Sequence, residues 1–393
     1  MSHDLEVYAT CPTPPDLDAL VAATPTLSSG PTHPGGLTVL RGARQAYCFT
    51  VEGPYDVDDE DVPDEVRAVL LGARWMWRVL VEGSAPGEVP HAARFAKRLA
   101  KEGKGACLDL QSGRATTFLR NRSPARPAPR SRVEVLTLEW HVLADSVPRD
   151  AAARLLRSAR RWLPEALPRR FGDTEPFEYA YAKDGAPGFE RLWDSGASVG
   201  WRGTGPVATG SLPTAPHARS SRPIHAGSAH EGPATVWSAD ISLLADLVDH
   251  QEWWRALGGL LTSYAEEVGA FYATAELTRD HIWSGTLFSD NQTERSTTPV
   301  TFGVWQGLPA TPRAWHWLGG PYAALATDLP GHLTSGTPSG ALFSGHPDPR
   351  DRTHEPTLAD LLPANLFARV DPDGIRHLPT PQIRAATIPD ALL

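Results

Sequence analysis

Three stretches of this chain repeat one grammar, an apolar strand, a helix and a second strand, and that order restricts the fold more than any single motif. The fullest instance opens with the alternating run Val236-Trp237-Ser238-Ala239-Asp240-Ile241-Ser242-Leu243-Leu244. It continues through a helical pattern from Trp253 to Val268 and closes on Ala270-Phe271-Tyr272-Ala273-Thr274-Ala275. A second instance begins with a strand over 133–143 and enters a helix over 149–166, with Leu155, Leu156, Ala159 and Trp162 on its inner face. At the N-terminus, Leu5 to Ala9 reads as a strand, and Pro14-Pro15-Asp16 starts a helix that runs to about Ala23.

The rest of the first 122 residues fits the same order. Arg74 to Val81 reads as a half-buried strand. Ala92, Phe95, Ala96 and Leu99 recur at helical spacing within His91 to Glu102, which Gly103 and Gly105 end. Ala106 to Gly113 is a short strand closed by a turn. Strand, helix, strands, helix, strand is a ferredoxin-like ordering. The fold class expected is therefore α+β, with tandem ferredoxin-like α/β units, antiparallel sheets and helices packed on one face.

Composition shifts place the boundaries. Residues 123–132 hold three prolines and no large apolar side chain before Val133, and are expected to be a linker. An N-terminal α+β domain is then expected over 1–122 and a second domain over 133–393. The second is expected to hold two repeated units, 133–201 and 234–380, joined by a loop over 202–233 rich in Gly, Ser, Thr, Pro and His. Within the first repeat, Phe177-Glu178-Tyr179-Ala180-Tyr181-Ala182 alternates as a strand with one wet face. Beyond Pro309 a helical segment is expected near 321–329, and strands near 366–370 and 375–378.

Charge and cysteine usage exclude several function classes. A net charge of −9 argues against a nucleic-acid binder or a partner of anionic membranes, both of which need clustered cations. The three cysteines, Cys11, Cys48 and Cys107, are too far apart for a zinc knuckle and odd in number for a disulfide framework. They read as small buried hydrophobes in a reducing compartment. No basic segment followed by an apolar one opens the chain, and no apolar run is long enough to span a bilayer, so a cytoplasmic protein is expected.

Candidate sites are of three kinds. The run Asp56 to Glu65 holds seven carboxylates in ten residues, and Asp58, Asp59, Glu60 and Asp61 at its centre are a candidate surface for a basic protein partner. It lacks the glycine and the closing glutamate of a calcium loop, and as a solvated turn it would lead into a helix near Pro63. His346, Asp348, Asp351 and His354 are the densest set of imidazole and carboxylate groups, and they could hold a divalent ion or simply be a rigid Pro-flanked loop. His217, His225 and His230 are too widely spaced in a flexible tract to suit a metal. Among the thirteen tryptophans, Trp253 and Trp254 occupy adjacent helix positions that cannot both face one core. Trp315 and Trp317 flank His316, which points the opposite way in an extended strand. These four tryptophans are candidates for a partner-binding surface. Phosphate-loop, dinucleotide and zinc-protease signatures do not occur. No cofactor is expected.

Residues from about 133 to 380 resemble the DUF3396, or type VI immunity-like, family, sometimes grouped with immunity protein 52. The resemblance is carried by the opening strand and helix with Leu155, Leu156 and Trp162-Leu163-Pro164, and by Phe177-Glu178-Tyr179. It is carried further by Ala239-Asp240-Ile241-Ser242-Leu243 leading to Val268-Gly269-Ala270-Phe271-Tyr272-Ala273, and by Trp317-Leu318-Gly319-Gly320 with Leu325. The chain departs from that family in its additional N-terminal domain and its longer 183–233 segment. The resemblance implies a non-enzymatic cytoplasmic protein that binds and neutralises a cognate toxin, with no catalytic residues. The alternative is an enzyme or small-ligand binder working in a cleft between the α+β units, with Tyr179, Tyr181, Asp184 and Glu190 near one edge.

Overall fold

A computed structural model of the chain describes residues 3–33, 36–83, 85–117, 131–216, 236–248, 251–283, 288–289, 299–301, 303–326, 329, 332–337, 339–344 and 357–368. The chain divides into two compact units, Met1–Ser131 with Ile282–Ser289, and Arg132–His281 with Asp290–Leu393. Most of the expected 123–132 linker, the histidine tract 217–230 and the 346–354 cluster lie outside the described residues, as do the strand expected at 375–378 and the last two residues of that expected at 366–370, whose first residue, Leu366, ends a 3₁₀ turn instead. Among the described residues no helix is long and apolar enough to cross a membrane. The fold is α+β, with two antiparallel sheets.

The first unit is built on β1 (His3–Ala9), β2 (Leu27–His33), β3 (Gly36–Arg41), β4 (Ala46–Asp56), β5 (Trp75–Val81), β6 (Ala106–Asp109) and β7 (Arg114–Thr117). They stand in the order β2-β3-β4-β5-β1-β6-β7, every neighbouring pair antiparallel. Helix α1 (Leu17–Ala22) starts at Asp16, whose carboxylate accepts from the Ala19 N–H at 3.2 Å. Helix α2 (Asp64–Arg67) is a single turn, and α3 (Val89–Glu102) buries Ala92, Phe95, Ala96, Leu99 and Ala100. Period-two alternation decides which side chains meet them. Leu5, Val7 and Ala9 of β1 join the α3 core with Phe49, Trp77 and Val79. Tyr8, Met76 and Leu108 point to the opposite face and pack with Val66, Val69 and Leu70 of the α2 region. Helical structure therefore covers both faces here, against the expectation of one, because each face carries its own apolar row.

The second unit contains β8 (Ser131–Leu143), α4 (Ala151–Trp162), β9 (Arg170–Gly172), β10 (Tyr179–Ala180), α5 (Tyr181–Asp194), β11 (Val199–Arg202) and β12 (Val207–Leu212). These are followed by β13 (Val236–Leu244), α6 (Gln251–Val268) and β14 (Tyr272–Trp283), whose last two residues are grouped with β15 (Phe288–Ser289) in the first unit, and then by β16 (Val300–Thr301) and β17 (Val304–Trp305). The last are β18 (Trp315–Gly319), α7 (Ala323–Ala326), β19 (His332–Thr337), β20 (Gly340–Ser344) and α8 (Leu358–Leu361). The main sheet runs β10-β9-β11-β12-β13-β8-β14-β18-β20-β19. The stretches expected as two repeated units thus share one sheet, with β13 and β8 paired antiparallel at its centre from Val236↔Leu143 to Leu244↔Val135. Both central strands end in the same phrase. Leu143-Ala144-Asp145-Ser146-Val147 and Leu244-Ala245-Asp246-Leu247-Val248 each make a 3₁₀ turn that hands the chain to α4 or α6.

Alternation again divides the sheet. Leu136, Leu138, Trp140 and Val142 of β8, Trp237, Ala239, Ile241 and Leu243 of β13, and Ala273 and Ala275 of β14 face α4, α5 and α6. The core behind them includes Leu155, Leu156, Leu257, Leu260, Leu261 and Tyr264. The Trp140 indole N–H donates to the Leu261 carbonyl at 2.9 Å, so a large ring is buried without an orphaned donor. The other face has a smaller apolar cluster at one end, where Phe271, Tyr272, Trp305, Leu318, Tyr322 and Phe343 meet. Two local expectations are corrected. Only Tyr179–Ala180 of the expected 177–182 strand pairs, and α5 follows, because Gly185 at φ 60° lets the chain turn and Pro187 is set for an early helical position. The 202–233 segment is not all loop, since Val207–Leu212 is β12 in the main sheet.

Candidate functional site

Two places in the second unit gather polar or aromatic groups beyond what packing needs. The first lies on the sheet face opposite α4 and α6. Here β8 presents Glu139 and His141, and β13 presents Asp240 and Ser238 directly across the ladder. His141 is completely buried. Its Nδ1 lies 2.8 Å from Ser238 Oγ, and its Nε2 faces Glu139 Oε2 at the longer distance of 3.5 Å. The imidazole stacks on Tyr272 with ring centroids 5.7 Å apart and 10° between planes, and meets Trp305 at 5.4 Å. Ser238 lines a cavity of about 260 Å³, with Ala144, Pro213, Pro216, Val236, Trp237, Val300 and Gly303 around it.

Electrostatics separate the two carboxyls of this row. Burial, with the charge of Glu139 opposite, pushes Asp240 up to about 6, against a hydrogen bond donated by Ser211 that favours its ionised form. Burial also disfavours ionised Glu139, yet the charge and hydrogen bonding of His141 and the charge of Arg313 together hold it below the usual carboxylate range. Two carboxyls facing one another in mid-sheet are costly neighbours, and below about pH 6 Asp240 takes up a proton while Glu139 stays ionised. Further along, the buried Arg313 pairs with Glu276. The Tyr272 hydroxyl and His316 Nδ1 are 2.8 Å apart, and burial, then Arg313, pulls His316 down to about 3, so the neutral ring accepts from the phenol.

The second place is the outward side of α6. Trp253 and Trp254 are both half-buried, and each borders a different hollow. One, of about 560 Å³, is lined by Trp162, Leu163, Pro164, Glu165, Glu252, Trp253 and Ala256. The other, of about 540 Å³, is bordered by Trp162, Trp254, Trp315 and Leu342, with Arg161, Arg255, Thr262 and Glu266 among its polar groups. Trp162 separates the two. Its ring lies so close to α6 that a Cβ on Gly259 would overlap it, and the Arg161 guanidinium sits 5.2 Å above the same ring. Trp254 meets Trp315 edge to face at 5.5 Å.

The expected site residues are therefore dispersed. Trp253 and Trp254 are on the α6 face, and Trp315 reaches it only with a ring edge, being 6% exposed. Trp317 is a correction: it is wholly buried between sheet and helices, its indole N–H donating to the Ala270 carbonyl at 3.3 Å, and it presents nothing to a partner. Asp61 is corrected likewise, since its buried carboxylate accepts from the Asp58 N–H at 2.9 Å and fixes the turn. Asp58 and Asp59 are exposed, and Glu60 lies in the same turn. Tyr179 and Tyr181 pack on the helix-side core, Tyr181 accepts from Arg160, and Asp184 accepts from the Ala180 N–H, so these groups serve the β10–α5 junction. Among the described residues no group of three or more His, Cys, Asp or Glu could hold a metal ion. The Ser238–His141–Glu139 row is hidden in the sequence because its strands lie about a hundred positions apart. Its one trace there is polar residues at alternate positions in two otherwise apolar strands. No family model, curated protein or solved structure matches the chain.

Proposed function

We propose that the chain is an immunity-type protein that binds and neutralises a cognate toxin in the cytoplasm, and that the outward face of α6 is where it binds. The observation that carries this reading is the pair of hollows flanking Trp162, each bordered by a half-buried tryptophan on adjacent positions of one helix. Aromatic anchors at the centre with arginines and glutamates at the rim are the usual anatomy of a protein–protein contact. Both hollows sit on helices and strands of one rigid core, which limits the ordering a partner must impose. The net charge of −9 suits a cationic partner through faster encounter.

The scaffold reading that goes with this is a ferredoxin-like core in each unit. In the first unit β4-β5-β1-β6, and in the second β12-β13-β8-β14, share the strand order of a split β-α-β pair, with additional strands at both edges. The test is co-purification with the protein encoded beside it in its genome, together with rescue of growth when that protein is expressed. Replacing Trp253 and Trp254 by alanine should weaken the complex by about 2 kcal/mol or more, as loss of a central aromatic anchor does. Absence of a complex, or rescue by the double variant at wild-type level, removes the reading.

A further inference from the structure

We propose that Ser238 is an activated nucleophile, with His141 as its general base and Glu139 as the positioning residue, and that the cavity it lines accepts small carboxylic esters. This goes beyond the binding reading and does not depend on it, since the α6 face lies on the opposite side of the sheet.

Glu139 Oε2 faces the Nε2 of His141 at 3.5 Å, and an ionised carboxylate only accepts. The ring nitrogen facing it, Nε2, must then carry the proton, which leaves the Nδ1 lone pair pointing at Ser238 Oγ 2.8 Å away. Nucleophile to base to orienting carboxylate is the arrangement that activates a serine, here with the two ring nitrogens in exchanged roles. The positive charge that His141 acquires on taking the serine proton is met on three sides: by Glu139, by the stacked Tyr272 ring and by Trp305. A hydroxyl–imidazole pair serving packing alone needs no carboxylate at the far nitrogen, and here the serine also lines a cavity.

The cavity limits the substrate. About 260 Å³ lies below the range of pockets for drug-sized ligands, and the proline, valine, alanine and tryptophan lining offers no charge to a charged acyl group. A short neutral acyl chain fits that description. In the reaction, Ser238 Oγ bonds to the ester carbonyl carbon while its proton passes to His141 Nδ1. The C–O bond to the alcohol breaks, and the alkoxide leaves with that proton. Water then attacks the acyl-serine, giving its proton to His141, and the carboxylic acid departs as Ser238 recovers its hydrogen. Asp240, held largely neutral opposite Glu139 below about pH 6, keeps a second negative charge away from the relay at mildly acid pH.

The experiment treats the full chain with a small alkyl fluorophosphonate, locates the adduct by intact mass and peptide mapping, and follows hydrolysis of p-nitrophenyl acetate against p-nitrophenyl octanoate. One adduct per chain on Ser238 is expected, with the acetate turned over at least ten times faster than the octanoate. Ser238→Ala should abolish adduct and turnover while the chain still folds, at a melting temperature lowered by a few degrees for the lost hydrogen bond, and binds its partner unchanged. His141→Gln should slow labelling at least a hundredfold. Glu139→Gln should slow it about tenfold and move the pH profile of labelling, which a packing role would not do. No adduct, an adduct on another residue, or labelling of a folded Glu139→Gln variant at the wild-type rate and pH profile overturns the proposal.

Discussion

Replacing Asp240 by asparagine should stabilise the second unit at alkaline pH and do much less at acid pH. Asp240 sits in mid-sheet opposite Glu139, and burial followed by that like charge raises its carboxyl from an ordinary 3.8 to about 6. An acid whose folded value is raised binds more protons in the folded chain than in the unfolded one between those two values. Stability therefore falls as pH rises through that window, and the whole loss is present above it. The difference corresponds to about 3 kcal/mol at pH 8, shrinking to about 1 kcal/mol at pH 4.5. Asparagine keeps an acceptor for the Ser211 hydroxyl and has no charge to bury, so the Asp240→Asn chain should recover most of that difference. Urea denaturation of both proteins at the two pH values, read by circular dichroism, measures it directly. Equal effects at both pH values, or a less stable variant at pH 8, would refute the charge argument.

Three other outcomes follow from particular contacts. Cys11, Cys48 and Cys107 are all buried, and desolvation raises each thiol, Cys48 and Cys107 to about 12. Ellman's reagent at pH 8 should react with the folded chain at least a hundredfold more slowly than with the guanidinium-unfolded chain, as the thiolate is the reactive form. Gly259→Ala would drive a methyl into the Trp162 ring and should cost about 1–3 kcal/mol by thermal denaturation, since the ring has to leave its seat on α6. The Trp253→Ala and Trp254→Ala pair should leave melting within a few degrees while weakening partner capture, which calorimetric titration with the co-purified protein would register.

Long, strongly periodic segments are legible in the amino-acid order itself. The run from Val236 to Leu244 alternates over nine residues, and the inward leucines of α6 repeat at helical spacing, so strand and helix lie where the pattern puts them. Helix α3 is readable for the same reason, with Gly103 at its end. Short elements are not. Phe177 to Ala182 alternates, yet Gly185 and Pro187 immediately after it decide for a turn and a helix. Val207 to Leu212 holds a glycine and two hydroxyl residues and carries no strand signal, and it pairs because β13 offers it a partner edge. For the tryptophans, the doubled pair in α6 is half-buried with both rings packed against the helix-side core, which adjacent helix positions alone do not foretell, and Trp317 is claimed by the core that α6 builds over it. Ser238 and His141 meet only through the register of two strands, and no local pattern encodes a register between segments so distant.

The edge-to-face contact of Trp254 and Trp315 has an optical consequence. Two indoles held 5.5 Å apart at 84° couple their electronic transitions, and such a pair gives a signed couplet in the far-ultraviolet dichroism spectrum. Because one ring belongs to α6 and the other to the sheet beneath, any displacement of Trp254 against Trp315 changes that couplet. The chain thus carries a built-in, label-free signal for movement of the two rings that border that hollow, and Trp254→Phe supplies the blank.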